Sequence, residues 1–202
     1  MKKNIPSYYN NIDLILDEIW ILLQRGVIDR NEDFRLPVVI VNSNGNADGR
    51  IVVLRGAFKD KNILRFHTDR RSPKVSFLKE NKKIYFVFYN KKRKIQVRAE
   101  GISTIHYKND ITLQAWKNTQ MISRKCYLSP QIPGDLINES ASDLSKEMGE
   151  NLPTLENSEV GYENFCVIES KIKSFEWLYL ASQGHRRAKF NLDNNTNTWL
   201  VP

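Results

Sequence analysis

Short strand-like segments joined by short turns are the feature that most limits how this chain of 202 residues can fold. Apolar or alternating runs typical of β-strands occur about eight times. Because they follow one another mostly without helices between them, they favour an antiparallel barrel or sandwich over a doubly wound α/β sheet. The predicted strands span residues 36–41, 50–57, 62–68, 84–89, 94–106, 164–172, 175–181 and 187–192, with a last short one near residues 199–201.

Three segments carry helical signals. An apolar stripe at helical spacing begins at Ile12, and Gly26 is the expected end of that helix. A second helix is predicted from Ser72 to about residue 80, because Ser is a preferred N-cap and Pro73 suits the first helical position. Residues 110–119 favour a third helix.

A change of composition interrupts the strand pattern at about residues 130–160. Pro, Gly, Ser, Asn and acidic residues replace large apolar ones there, which predicts an irregular and partly mobile excursion. Residues 135–159 are also a candidate lid, since they lie between two candidate ligand-binding segments. The length of the chain and the lack of an internal repeat predict a single domain, residues 1–202, that contains this excursion.

The formal net charge of +8 indicates an anionic partner, such as nucleic acid, an acidic surface or a phosphorylated small molecule. The cations are scattered, which argues against nucleic acid. Cys126, Cys166 and three histidines show no metal-ligand spacing, so neither a metal site nor a disulfide framework is predicted. No signal peptide and no membrane-length apolar run is recognisable, and we expect a cytoplasmic protein.

A phosphate-binding pattern spans residues 50–74. A predicted strand ends at His67 and Thr68, and a polar loop then leads to the helix start at Ser72, with Lys74 in the first turn. A helix N-terminus offers free N–H groups and a positive dipole end, to which hydroxyls, Lys74 and Arg50 add donors and charge. A cation in a first turn opposes the dipole, and a bound anion would relieve that conflict. A solvated helix beside a basic loop is the alternative interpretation.

Two further segments suit a planar ligand. Gln96 lies on one face of a predicted strand and could bind the edge of a heterocycle. Trp177 precedes a Gly-His-Arg-Arg turn, and aromatic rings with cations suit a planar anion or a nucleic-acid strand. A polar outer face and a core tryptophan are the alternatives. Since no nucleophile motif or Walker loop is present, we expect a cofactor to perform the chemistry.

Five segments, in this order, resemble the pyridoxamine 5′-phosphate oxidase-like FMN-binding split-barrel family, and most closely its Alr4036-type subgroup. They are RIVVLRG, FHTDRRSPKV, IQVRAEG, SRKCYLSP and the run ENFCVIES…EWLYLASQGHRRAKF. The resemblance implies a mainly β fold, namely a six-stranded antiparallel Greek-key split barrel with flanking helices. It also implies a homodimer with FMN at the subunit interface.

The resemblance assigns roles to individual residues. Arg50 and Lys74 would bind the FMN phosphate, with Ser72 in the phosphate loop. His67 and Thr68 would lie beside the isoalloxazine ring and the ribityl chain. The implied cofactor-binding residues are Arg50, Ile51, Val52, Val53, Arg55, His67, Thr68, Ser72, Lys74, Gln96, Trp177, Arg186 and Arg187.

The chain departs from the true oxidases where these bind their substrate. Arg55 stands in place of a Lys, and residues 185–188 replace an Arg-Leu-His motif. Among the substrate-phosphate ligands only Arg124 has a counterpart here. Trp177 and one of Arg186 or Arg187 would come from the second subunit. The resemblance therefore supports FMN binding more than vitamin B6 oxidation.

These observations predict an FMN-dependent oxidoreductase with a small-molecule substrate. His67 and Arg186 are expected near the reacting face of the flavin. A flavin-binding carrier or sensor without turnover would share the same site. A nucleic-acid-binding protein, or heme or another cofactor in the same groove, are further alternatives.

Overall fold

The computed structural model of the protein describes residues 5–138, 140, 144 and 151–202. Within these ranges one antiparallel sheet holds nine strands, in the order β2-β1-β5-β6-β7-β4-β3, with β8 paired to β7 and β9 to β8. The strands are β1 Val38–Ser43, β2 Asn46–Ile51, β3 Leu54–Phe58, β4 Ile63–Asp69, β5 Lys83–Asn90, β6 Ile95–His106, β7 Phe165–Tyr179, β8 Arg186–Asn191 and β9 Thr196–Leu200.

The predicted class, a mostly antiparallel sheet with flanking helices, is confirmed, but the predicted number of six strands is wrong. The additional strands have two physical origins. The expected strand 50–57 is broken at Val52, whose N–H donates to the carbonyl of Pro37, so β2 and β3 are separate. At the other end of the chain, β8 and β9 extend the sheet as a hairpin on β7.

The longest strand, β7, organises the sheet. The segments expected as separate strands, 164–172 and 175–181, are continuous in it. Strand β6 pairs along one edge of β7, whereas β4 pairs with its first half and β8 with its second half along the other edge. The two halves of β7 therefore have different neighbouring strands along this edge.

The helices pack around this sheet. The first helix, α1, continues two residues beyond Gly26, so the expected end at Gly26 is wrong. A side chain at Gly26 would lie 2.8 Å from the carbonyl carbon of Phe34, which explains a glycine inside the helix. In the described part of the chain the α-helices are α1 Ile12–Ile28, α2 Pro73–Glu80, α3 Asp110–Lys117, α4 Met121–Arg124 and α5 Leu155–Glu159.

The core lies between α1 and the inner face of the sheet. Trp20 of α1 meets Phe175 of β7 edge to face, with ring centroids 5.3 Å apart, and Phe34 packs on Phe88. Burying large aromatic side chains of this kind contributes much of the hydrophobic stabilisation of a small domain. The N-terminal helix thus fixes one end of the sheet.

Part of the predicted excursion at 130–160 lies outside the described residues, namely positions 139, 141–143 and 145–150. The same holds for much of the candidate lid at 135–159. At the end of the excursion α5 is followed by a 3-10 helix, Val160–Asn164, which leads directly into β7.

No helix within the described ranges is long and apolar enough to cross a membrane. The location of the protein in the cell stays a prediction.

Candidate functional site

A buried lysine lies at the centre of the predicted phosphate-binding pattern. Lys74 is 8% exposed, and its ammonium group donates to the hydroxyls of Thr68, at 2.7 Å, and Ser72, at 2.9 Å. Ser72 occupies the N-cap position of α2 but makes no capping hydrogen bond. Its hydroxyl accepts a hydrogen bond from Lys74 instead of from the helix backbone. The sequence pattern thus becomes a cluster, which we call the phosphate cluster: Arg50, Thr68, Ser72 and Lys74.

Among the described residues, no carboxylate balances the positive charge of Lys74 in the phosphate cluster. None of the described carboxylates forms an ion pair with the Lys74 ammonium, and its two hydrogen-bond partners in the described chain are neutral hydroxyls. Burial, followed by the positive charge of Arg50, lowers the pKa of Lys74 to about 8. Removing a cation from water without a counter-ion is costly. A bound anion would repay that cost.

Arg50 supports the same interpretation. One of its terminal nitrogens pairs with Asp48, while its Nε atom is buried without a hydrogen-bond partner in the described structure. A buried donor without a partner costs free energy, and an oxygen-rich ligand would satisfy it. The donor set around Lys74 and Arg50 therefore fits a phosphate group.

The backbone at Val52 and Val53 passes beside Arg50 without being part of a strand. Ile51 is 64% exposed, Val52 is buried and Val53 is half-buried. Ile51 therefore presents an apolar side chain to the exterior next to the phosphate cluster, as a residue that lines a flavin would do.

On the other side of β4 lies a cavity of about 400 Å³. We call it the arginine cavity, because Arg30, Arg35, Arg55 and Arg65 line it together with His67. Side chains alternate along a strand, so Arg65 and His67 share this face of β4 while Thr68 points to Lys74. His67, which lines the cavity, and Thr68, which belongs to the phosphate cluster, are therefore consecutive residues of β4.

His67 is uncharged at neutral pH. Burial, and then the positive charges of Arg55 and Arg65, lower the pKa of His67 to about 3. Its ring packs against that of Phe165 in a T-shaped arrangement, with centroids 5.0 Å apart. A neutral imidazole can offer one donor and one acceptor to a ligand.

The predicted second group of cofactor residues lies elsewhere in the chain. Gln96 pairs with Leu178 of β7, whereas His67 pairs with Val167. These two partners lie eleven residues apart along β7. Gln96 is therefore not a member of the phosphate cluster within this chain.

The residues around Gln96 have partners of their own. Trp177 is only 2% exposed and meets Tyr9 at 5.2 Å between ring centroids, so it packs in the core of its own chain. Arg187 pairs with Glu176, and Arg186 donates to the side chain of Asn10. A role for these three residues in cofactor binding stays a prediction.

Arg124, the candidate substrate ligand, is used internally. It is 2% exposed, and its guanidinium donates to the carbonyls of Trp116 and Thr119. It also donates to Ser158 and forms an ion pair with Glu159 at 2.6 Å. In this arrangement Arg124 fastens the end of α5 to α3 and is closed to a substrate.

Sequence reasoning missed three of the four arginines in the cavity. Arg65 could have been found, because it precedes His67 by two residues on a predicted strand and must share its face. Arg30 and Arg35 follow the first helix and carry no local signal. They reach the cavity only because α1 packs beside β3.

Comparison with known proteins agrees with the fold. Residues 23–107 match the model of a family described as pyridoxamine 5′-phosphate oxidase, FMN-binding domain. The family resemblance predicted from the sequence is confirmed. The matched stretch includes the phosphate cluster and Gln96 but ends before β7. No comparison tests the Alr4036-type subgroup, and no curated protein matches the chain significantly.

Solved structures of the same fold cover nearly the whole chain. A pyridoxamine 5′-phosphate oxidase-related FMN-binding protein from Nostoc punctiforme superposes with a TM-score of 0.71 at 18% identity, covering 99% of this chain and 100% of that one. PhzG from Burkholderia lata, solved with tetrahydrophenazine-1-carboxylic acid, gives 0.70 at 15% identity, covering 100% and 99%. General Stress Protein 26 from Bacillus anthracis gives 0.50 at 12% identity, covering 91% and 99%.

Proposed function

We propose that this protein binds FMN through the phosphate cluster and acts as an FMN-dependent oxidoreductase on a small-molecule substrate. The observation that carries the proposal is the buried ammonium of Lys74, whose hydrogen-bond partners among the described residues are two hydroxyls, and which lies beside Arg50, whose Nε has no partner there. The family match over residues 23–107, a domain described as FMN-binding, supports the same cofactor.

The residues of the site would each have a distinct role in binding FMN. Lys74 and Arg50 would neutralise the phosphate, and Thr68 and Ser72 would donate hydroxyl hydrogen bonds. Ile51 and the backbone at Val52 would lie along the ring. A bound flavin supplies the redox chemistry, since it accepts and returns electrons at its isoalloxazine ring. The protein holds and orients it.

We further propose that the working form is a homodimer with FMN between the subunits. Within this chain Thr68 pairs with residue 166 of β7 and Gln96 with residue 178, so a second copy that contributed one group would bring both to a single ligand. The outer face of β1 and β5 carries apolar side chains, among them the exposed Tyr85 and the half-buried Ile40 and Val87. Such a face suits an isologous interface.

The test of cofactor binding is Lys74→Met. Removing one charged hydrogen-bonding partner costs about 1.5–3 kcal/mol, so the FMN dissociation constant should rise roughly 10- to 150-fold. Lys79→Met is the matched control, because Lys79 is an exposed lysine on the same helix. FMN affinity is measured by quenching of flavin fluorescence. Equal affinities of the wild type and Lys74→Met would refute this site.

Turnover is tested separately on the FMN-loaded protein. Bleaching of the flavin absorbance by NADH, NADPH or small amines, followed by reoxidation, is expected of an oxidoreductase. Bound FMN that none of these reduces would favour the carrier or sensor and would leave the binding site intact.

A further inference from the structure

The arginine cavity is strongly cationic and has no acidic residue in its lining. Among the four arginines of the cavity, Arg65 has its charge balanced by a carboxylate, since it donates to Glu169 from Nε at 3.0 Å and from Nη2 at 2.5 Å. Within the described residues no carboxylate forms an ion pair with the other three arginines.

The contacts of these three arginines are polar but neutral. Arg30 donates to the amide oxygen of Gln120 at 3.0 Å, and Arg55 lies 3.4 Å from the hydroxyl of Ser123. Arg35 donates to the carbonyls of Gly26 and Val27, so it is partly balanced by the negative end of α1. Burial and then the charge of Arg35 lower the pKa of Arg55. Three guanidiniums are thus held together against their repulsion.

We infer that the arginine cavity binds a small polyanion with at least two negative charges, such as a dicarboxylate or a phosphomonoester. Guanidiniums bind both kinds of acid group through paired hydrogen bonds, and three of them exceed what a monoanion would neutralise. A volume of about 400 Å³ suits a small molecule. That this polyanion is the substrate rests on the proposed function, because the cavity adjoins the phosphate cluster across β4.

His67 suits this role because of its neutral state. An imidazolium would add a further charge, whereas a neutral ring can donate or accept a hydrogen bond without adding to the repulsion. Amide groups of Gln114 and Asn118 complete a polar wall at the α3 side of the cavity. The ligand would be bound by fixed donors with its acid groups toward α1 and β3.

The inference is tested by calorimetric titration of the FMN-loaded protein with inorganic phosphate and with succinate, at constant ionic strength and with acetate as the monoanion control. Single-site binding of one or both dianions is expected, at least about tenfold tighter than acetate. Arg55→Gln should weaken it at least about tenfold, and Arg30→Gln, at an exposed arginine that is easily replaced, should weaken it several-fold.

Two controls separate this site from general charge and from the phosphate cluster. Arg25→Gln removes one exposed positive charge from α1, outside the cavity, and it should leave binding unchanged. FMN occupies the phosphate cluster during this titration, and Lys79→Met, at an exposed lysine of α2, should also leave binding unchanged. Preference for phosphate or for succinate identifies the acid group, and either preference supports the inference.

The inference is overturned if neither dianion binds, or if binding is insensitive to both Arg55→Gln and Arg30→Gln. It is also overturned if Arg25→Gln or Lys79→Met weakens binding as much as Arg55→Gln does. Failure of the proposed function has a different signature: the protein binds no FMN, yet titration of the FMN-free protein still shows Arg55-dependent binding of the dianions.

Discussion

At the scale of single residues, the site is defined by cations that the fold buries without matching anions. Lys74 is held by two hydroxyls, and His67 is kept neutral by burial beside arginines. Both arrangements lower a pKa and cost stability in the ligand-free protein. Residues held at such a cost are typical of ligand sites.

The affinity for FMN should fall as the pH rises above about 8. The pKa of Lys74 is about 8 in the free protein, and a bound phosphate raises it, so binding above that pH requires uptake of a proton. The loss approaches tenfold per pH unit. Flavin fluorescence titrations from pH 7 to 9.5 measure it. Lys74→Met should show weak, nearly pH-independent affinity over this range, and a parallel slope in both proteins would contradict the assignment.

His67 should make the protein less stable in mild acid. Its pKa is about 3 in the folded chain and about 6.5 when unfolded, so the unfolded chain binds more protons between these values. Above pH 6.5 the neutral His67 leaves the free energy of unfolding at its full value. Below pH 6.5 that free energy decreases as the pH falls. From pH 7.5 to 5 the loss is about 2 kcal/mol.

This loss is measured by urea unfolding of the wild type and of His67→Gln at both pH values. The variant should lose about 2 kcal/mol less than the wild type over the same interval. Equal losses in the two proteins would show that His67 is charged or exposed in solution.

At the scale of elements, the junction between α1 and the following 3-10 helix, Asp33–Arg35, positions the arginine cavity. Gly26 allows the backbone of Phe34 to approach α1, and this approach brings Arg35 to the carbonyls at the end of the helix. The cavity therefore depends on helix packing as much as on the strands β3 and β4.

Gly26→Ala should destabilise the protein although alanine is the better helix former. The added Cβ would lie 2.8 Å from the carbonyl carbon of Phe34 and 2.9 Å from the nitrogen of Arg35, and backbone must move to admit it. We expect a loss of about 1–3 kcal/mol in the free energy of unfolding. Gly49→Ala is the control, since its nearest neighbour would be 3.7 Å away, and it should change stability by less than about 0.5 kcal/mol. Equal effects would remove the packing argument.

At the scale of the whole molecule, the dimer proposal concerns two groups of cofactor residues that pair with different parts of β7. His67 and Thr68 pair with the start of β7, and Gln96 and Arg187 pair with its end. In the proposed homodimer, a second copy would bring its own group to the ligand held by the first. A monomer would hold FMN by its phosphate and leave the ring poorly enclosed.

Ile40→Lys should convert a homodimer into monomers and reduce the FMN content of the purified protein. Ile40 faces outward beside Tyr85, so a lysine there would place like charges against each other across a two-fold axis. Leu113→Lys, at an exposed position of α3, is the control and should stay dimeric. Sedimentation equilibrium measures the mass. A monomeric wild type with full FMN occupancy would contradict the dimer proposal.

The sequence by itself determined the β-rich class, the helix that begins after Ser72, the phosphate cluster and the family resemblance. These rest on local patterns, because Thr68, Ser72 and Lys74 lie within seven residues of one another and strand alternation is set by neighbours. The number of strands, the burial of Trp177 and the internal role of Arg124 were decided only by the tertiary structure. So was the arginine cavity, whose arginines come from the segment after α1, from β3 and from β4. Contacts between segments far apart in the chain depend on packing, which no local pattern encodes.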